Sequence, residues 1–140
     1  MLEKETERKL MAEAIRYRKR AYIPYSHFGV GAALLAGSGT VYGGCNIENA
    51  TYTPTNCAER TAFFKAVSEG EREFTAIAIV GGKADGPLEF CPPCGVCRQV
   101  MAEFCDPKKF LILLGTSEDD YRVFRLEELL PYGFTPENLE

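Results

Sequence analysis

The sequence predicts an α/β domain of three layers, α/β/α, in which helices cover both faces of a mixed five-stranded sheet. A chain of 140 residues suits one domain spanning 1–140, because this length buries roughly two thirds of the unfolded surface. Hydrophobic residues make up 46% of the chain and charged residues 26%, which is typical of globular proteins. Strands separated by helices favour parallel neighbours in the second half of the sheet.

Hydrophobic periodicity and turn residues together predict each element. In chain order they are a helix at 3–21, strands at 30–35 and 40–45, a helix at 57–68, a strand at 74–80, a helix at 95–104, strands at 109–114 and 121–126, and a short helix at 127–130.

In the first half, Leu10, Ala14 and Tyr17 lie on one apolar stripe of the first helix, which Pro24 ends. The turn at 37–39, Gly-Ser-Gly, joins the two strands of a hairpin. The polar segment at 46–56 is typical of a loop.

In the second half, strong helix formers predict a helix over 57–68 that closes at Gly70. The next strand is bounded by Gly81-Gly82, and the third helix is entered through Pro92-Pro93. The strand at 121–126 alternates between apolar and polar residues, as is typical of an edge strand.

Charge and hydropathy exclude several classes of function. The chain has 16 Lys and Arg against 20 Asp and Glu, a net charge of −4, which disfavours a nucleic-acid partner. No apolar run approaches a membrane span. Residues 1–9 lack the apolar core of a secretory signal, so we expect a cytoplasmic protein.

Six cysteines in a chain expected in a reducing compartment point to metal binding or catalysis rather than to disulfides. They are Cys45, Cys57, Cys91, Cys94, Cys97 and Cys105. Cys94 and Cys97 are neighbours on one helix face, the geometry that a shared metal needs. Cys57 could supply a third sulfur from the start of another helix. Three protein ligands on zinc leave a fourth position for water, as in catalytic sites.

Glu59, two residues after Cys57, points to hydrolytic chemistry. Both side chains can reach past the end of the helix, although in mid-helix this spacing would put them on opposite faces. A carboxylate beside a zinc-bound water can take its proton, since zinc lowers the pKa of that water to about 7. A Glu two residues after the first ligand, followed by Pro-Cys-x-x-Cys, is the signature of zinc-dependent deaminases.

The chain also resembles a known family at several places outside the cysteine motifs as well as within them. These are Pro24-Tyr25-Ser26, Phe28, 30–34, 44–50, 57–62, 98–100 and 128–131. Over nearly its whole length the sequence is similar to the small homotetrameric cytidine deaminases that act on free nucleosides. The resemblance implies the cytidine deaminase-like fold and one zinc ion per chain.

The resemblance also implies roles for individual residues. Cys57, Cys94 and Cys97 match the zinc ligands, and Glu59 matches the proton-transferring glutamate. Phe28 matches the residue that stacks on the pyrimidine, while Asn46, Glu48 and Ala50 fall in the loop that binds the ribose. Tyr52 and Phe134 match aromatic residues that line a neighbouring subunit's site. The implied reaction converts cytidine and 2'-deoxycytidine to uridine and 2'-deoxyuridine in pyrimidine salvage: zinc-bound water attacks C4, Glu59 shuttles protons, and ammonia leaves.

Charge adds a prediction about two arginines. Zinc with three thiolates carries a net negative charge, which weakens its effect on bound water. Arg60 follows Cys57 by three residues, and Arg98 directly follows Cys97. We expect one or both to donate hydrogen bonds to ligand sulfurs and to offset that charge.

Three other functions are weighed against this one. A nucleic-acid-editing deaminase is disfavoured by the acidic balance and by the lack of a basic, aromatic-laced patch. A deaminase of a cytosine-containing antibiotic nucleoside is disfavoured by the ribose loop at 46–49. A zinc-binding interaction module without activity predicts a closed site with Cys91 as the fourth sulfur.

Overall fold

The computed structural model describes residues 2–140, which contain five strands, four α-helices and one short 3₁₀ helix. The strands are β1 (Phe28–Ala36), β2 (Val41–Cys45), β3 (Phe74–Lys83), β4 (Leu111–Ser117) and β5 (Asp120–Arg125). The helices are α1 (Lys4–Arg18), α2 (Ala58–Ser68), α3 (Gly95–Phe104), α4 (Leu126–Leu129) and the 3₁₀ helix Pro136–Leu139.

The sheet is mixed and has the strand order β2-β1-β3-β4-β5. β3 and β4 run parallel, in the register Ala76 to Leu111, because α3 connects them as a crossover. The other neighbouring pairs, β1 with β2, β1 with β3 and β4 with β5, are antiparallel. The predicted mixed five-stranded sheet is therefore confirmed.

Helices cover both faces of the sheet, and each face has its own apolar core. On one face α1 packs through Leu10, Met11 and Ala14 against a buried cluster of sheet residues. On the other face α2 and α3 pack over a larger cluster that includes Phe63 and Met101. The predicted three-layer α/β/α arrangement is confirmed.

The start of α2 lies directly against the sheet at Gly44, which has no side chain. A Cβ atom on Gly44 would stand 2.4 Å from the carbonyl oxygen of Ala58 and 2.7 Å from the amide nitrogen of Ala62. Both contacts are with the backbone of α2, so a side chain here would displace the helix. Gly44 thereby sets the position of the residues at the start of α2.

Several predicted boundaries differ from the structure, among them the end of β3 and both ends of β4, which spans Leu111–Ser117 rather than 109–114. β3 was expected to stop at Gly81-Gly82, but it continues to Lys83 because Gly81 pairs with Val30 and Gly82 with Gly29. The first helix ends at Arg18 rather than at residue 21. The 3₁₀ helix in the C-terminal segment was not predicted.

Among residues 2–140, none of the helices combines the length and apolarity that a membrane crossing would need.

Candidate metal centre and active site

Three cysteine sulfurs meet where α2 and α3 begin. Cys57 is the N-cap residue of α2 and Cys94 that of α3, while Cys97 lies in the first turn of α3. The three Sγ atoms lie within 4.8 Å of one another. The Sγ of Cys94 is 3.8 Å from that of Cys57 and 3.4 Å from that of Cys97. The folded chain thus joins two helix starts that are 37 residues apart in sequence.

The cluster fits a tetrahedral zinc ion. Zn–S bonds of about 2.3 Å place tetrahedral ligands roughly 3.8 Å apart, close to the two sulfur distances of 3.8 and 3.4 Å. Within the described part of the chain, these three cysteines form the only group suited to a metal, and Cys91 does not belong to it. The donor set is therefore suited to one zinc ion with three protein ligands. This argues against the closed four-cysteine site of a non-catalytic module.

Helix starts and hydrogen bonds favour a thiolate at this cluster. The pKa of Cys57 is lowered to about 5, chiefly because the Cys97 thiol acts as a donor to it and also because Arg60 lies beside it. The same interaction with Cys57, together with burial, raises the pKa of Cys97. The backbone N–H of Cys97 donates to the Sγ of Cys94 across 3.4 Å. Unpaired amides at a helix N-terminus stabilise negative charge on such sulfurs.

The two arginines expected near the sulfurs behave differently. Arg60 Nη2 donates to the Sγ of Cys57 across 3.3 Å. Arg98 donates instead to backbone oxygens, from Nε to Pro93 across 2.8 Å and from Nη1 to Leu129. Of this pair, Arg60 makes the expected hydrogen bond to a sulfur; within residues 2–140 Arg98 makes none, and its side chain ties the start of α3 to α4.

Glu59 is buried beside the cluster, with 5% of its surface exposed. Burial raises the pKa of its carboxyl group to about 7, and the negative charge of Cys57 acts in the same direction. Its own backbone N–H, the Cys97 thiol and Arg60 oppose that shift. A carboxyl group with a pKa near neutrality can both take up and release a proton.

Phe28 and Asn46 are joined through the edge of β1. Asn46 Nδ2 donates to the carbonyl oxygen of Phe28 across 2.8 Å, and the backbone N–H of Val30 donates to Asn46 Oδ1 across 2.9 Å. These two bonds hold the amide of Asn46 in one orientation. Each of its polar atoms keeps capacity for one further hydrogen bond.

Glu48 is held by Ser26, a residue for which the sequence alone predicts no role. The Glu48 carboxylate accepts hydrogen bonds from the backbone N–H groups of Tyr25 and Ser26, at 3.0 and 3.1 Å, and from the Ser26 hydroxyl. The Ser26 hydroxyl is the main reason that the pKa of Glu48 lies below its ordinary value. The Pro-Tyr-Ser segment was the available signal, but its contact with Glu48 spans 22 residues.

The remaining predicted residues lie on the surface of the single chain. Ala50 is exposed, and Tyr52 is 73% exposed with a positive φ of 65°. Tyr52 packs edge-to-face with Tyr25, at a centroid distance of 6.3 Å. Phe134 is 59% exposed, and its carbonyl accepts a hydrogen bond from Gln99 on α3. Within residues 2–140, no hydrogen bond or ring contact joins Tyr52 or Phe134 to Phe28 or the cysteine cluster.

Comparisons with known proteins agree with this geometry. A family model described as the cytidine and deoxycytidylate deaminase zinc-binding region matches residues 4–113. The chain is 53% identical over 131 residues to a cytidine deaminase of Sporosarcina psychrophila, covering 94% of this chain and 93% of that protein. It is also 53% identical over 130 residues to a cytidine deaminase of Halalkalibacterium halodurans, covering 93% and 95%.

Solved structures of the same kind have a similar fold. A cytidine deaminase from Burkholderia pseudomallei superposes with a TM-score of 0.80 at 48% identity, covering 90% of this chain and 97% of that one. A cytidine deaminase from Mycobacterium tuberculosis gives a TM-score of 0.74 at 38% identity, covering 90% and 94%.

Proposed function

This chain belongs to the cytidine and deoxycytidylate deaminase family, and from that premise we propose that it deaminates free cytidine and 2'-deoxycytidine to uridine and 2'-deoxyuridine. One observation carries the proposal: a buried carboxyl group, Glu59, lies beside three sulfurs that suit a zinc ion with an open fourth position. We infer that residues 1–140 form one deaminase domain, as supported by the family match over 4–113.

Cys57, Cys94 and Cys97 hold the metal in this proposal. Zinc, when bound there, supplies the acidity that makes water a nucleophile at neutral pH. Arg60 offsets part of the negative charge of three thiolates through its hydrogen bond to Cys57, which preserves that acidity.

Glu59 moves the protons of the reaction. Its carboxylate takes one proton from the attacking water and delivers it to N3 of the pyrimidine, while oxygen bonds to C4. It then passes the second proton to the amino nitrogen on C4, the C4–N bond breaks, and ammonia leaves. One water is consumed for each uridine and ammonia formed. The pKa of about 7 suits a group that must act as base and acid in one cycle.

Residues at the start of β1 and in the loop after β2 recognise the nucleoside. Phe28 stacks on the flat base, and the Asn46 amide and the Glu48 carboxylate hydrogen-bond the ribose hydroxyls. Ser26 keeps Glu48 ionised and oriented, and Ala50 lies in the same loop. A site that hydrogen-bonds the sugar discriminates strongly against free cytosine.

A homotetramer completes each site in this proposal. Tyr52 and Phe134 are large, exposed aromatic residues that line the site of a neighbouring subunit. Their exposure in the single chain supports this role, because exposed aromatic groups are enriched at protein interfaces. The enzyme acts in pyrimidine salvage in the cytoplasm, whose reducing conditions keep the cysteine ligands from forming disulfides.

Ultraviolet absorbance with cytidine tests the proposal directly. Purified protein is expected to convert cytidine and deoxycytidine to the uridine products, to lose activity with a zinc chelator, and to regain it with added zinc. Free cytosine and deoxycytidylate serve as comparison substrates, and we expect little turnover of either. Size exclusion tests the tetramer separately. A zinc-loaded protein that leaves cytidine unchanged would contradict the proposed function.

A further inference from the structure

The segment between β3 and α3 turns back across the end of the sheet before it reaches the metal ligands. The segment contacts β3 at Gly81, where the backbone N–H of Glu89 donates to the Gly81 carbonyl oxygen across 2.7 Å. Cys91 follows two residues later, and Cys94 three residues after that. The segment therefore lies against both glycines near the end of β3, since a Cβ atom on Gly82 would likewise meet the carbonyl oxygen of Pro87 at 2.5 Å.

The space of a side chain at Gly81 is filled by two other residues. A Cβ atom there would stand 2.7 Å from the Sγ and 3.0 Å from the Cβ of Cys91, and 3.2 Å from Cε1 of the Phe28 ring. Non-bonded carbon atoms in proteins rarely approach below about 3.5 Å. The ring of Phe28 and the side chain of Cys91 therefore lie against the bare Cα of Gly81.

This contact is on the face of the sheet that carries the metal centre. Gly81 continues the row of Ile77 and Ile79, which belong to the core under α2 and α3. Its partner across the ladder is Val30, which packs against the same core. Phe28 is two residues before Val30 and points to the same face.

Cys91 acts here as a small neutral side chain. Burial raises the pKa of its thiol to about 11, and the negative charges of Glu59, Glu89 and Cys57 add to that shift. A neutral thiol beside an aromatic ring makes a favourable sulfur–aromatic contact.

We propose that Gly81 and Cys91 are positioning residues for Phe28: the bare Cα of Gly81 admits the thiol and the ring side by side, and this packing sets where the ring meets the pyrimidine. The inference rests on the proposed function, since it assigns Phe28 the base contact. Neither residue touches the reacting atoms, so both affect nucleoside binding more than turnover.

The variant Gly81→Ala tests the proposal. The added methyl group displaces the ring, so we expect KM for cytidine to rise about tenfold while kcat stays within about threefold. Zinc content should remain one per chain. Gly86→Ala is the matched control on the same segment, because a Cβ there meets ordinary contacts of 3.6 and 3.9 Å; its KM should equal that of the wild type.

Removing the thiol of Cys91 provides a second test of the proposal. Cys91→Ala alone deletes one side of the packing without a clash, and we expect KM to rise about threefold with little change in kcat. In the double variant the atom nearest to the new methyl group is gone. The double variant is therefore expected to have a KM about threefold below that of Gly81→Ala, a non-additive rescue that general loss of stability would not produce.

Binding of uridine, measured by calorimetry, gives a readout independent of turnover, and Kd should follow KM across the variants. The inference is overturned if folded Gly81→Ala keeps the wild-type KM, or if it loses zinc and kcat with KM unchanged. Should Gly81→Ala fail to fold, a wild-type KM in Cys91→Ala overturns it equally. Wild-type protein that neither binds uridine nor deaminates cytidine overturns the proposed function, and the inference with it.

Discussion

The starts of α2 and α3 look alike locally but contribute different chemistry. Each helix is capped by a cysteine with extended backbone angles, φ −76° and ψ 157° at Cys57, and φ −67° and ψ 165° at Cys94. Two residues on, however, α2 has Glu59, which is 5% exposed, and α3 has Val96, which is 57% exposed. The two starts share the metal ligands, but only α2 brings a proton-carrying group.

Packing accounts for this difference. The start of α2 lies against Gly44 of the sheet, where a Cβ atom would meet the helix backbone at 2.4 Å, whereas a Cβ on Gly95 at the start of α3 would meet nothing within 4 Å. The arginines follow the same division, since Arg60 contacts a sulfur and Arg98 contacts backbone oxygens. The two helix starts thus share a capping cysteine, but only the start that lies against the sheet has a buried carboxyl group.

The largest expected effect is the loss of turnover when Glu59 is replaced. Val96, at the same position of α3, is the matched control. Glu59→Gln should lower kcat about 10⁴-fold, because an amide cannot take up and release the two protons. Zinc should stay bound at one ion per chain, measured by metal analysis beside steady-state rates. Val96→Gln introduces the same side chain at the matching position of α3 and should leave kcat near that of the wild type. Near-normal turnover in Glu59→Gln would remove this residue from the mechanism.

Glycines at the two helix starts provide the second test, and the expected effects have opposite signs. Gly44→Ala should lower the free energy of unfolding by about 3 kcal/mol, since the methyl group collides with the backbone of α2. Gly95→Ala should raise it by about 0.5 kcal/mol, because alanine fits the open first turn with less chain entropy to lose. Chemical denaturation measures both. Equal effects of the two substitutions would contradict the proposed difference in packing.

The arginine pair gives the smallest effect. Arg60→Gln should weaken zinc binding about tenfold, as expected when a group that supports a metal ligand is removed. Arg98→Gln should change zinc affinity less and instead lower the melting temperature, because its bonds to Pro93 and Leu129 join α3 to the C-terminal segment. Competition with a chelator and thermal unfolding measure the two properties. A stronger loss of zinc affinity in Arg98→Gln would reverse the assignment.

Much of the fold could be predicted because its signals are local. The helix Gly95–Phe104 has the predicted bounds, and the order of all nine predicted elements agrees with the structure. The error at Gly81-Gly82 has a physical reason: glycines usually interrupt strands, but here both pair with β1, and Gly81 leaves room for Cys91 and Phe28. That room depends on residues distant in sequence and could not be anticipated from the glycines themselves.

The candidate site was predictable to a similar degree. Cys94 and Cys97 were placed together by their spacing, and Cys57 and Glu59 by a motif whose chemistry requires them. The role of Ser26 was missed because no sequence pattern around a serine predicts a hydrogen bond to a residue 22 positions away. The sequence left open which arginine would reach a sulfur, because adjacency to Cys97 in sequence does not determine where the long side chain of Arg98 finds its acceptor.

By itself, the order of amino acids determined which segments are helices or strands and which side chains are available as thiolates, proton carriers and aromatic surfaces. These properties follow from backbone hydrogen bonding, from hydrophobic periodicity and from side-chain chemistry, all of which act over a few residues. Only the tertiary structure decided that Glu59 is desolvated, that Arg60 rather than Arg98 supports a sulfur, and that Gly81 admits Cys91 beside Phe28. Burial and contact depend on how distant segments pack together.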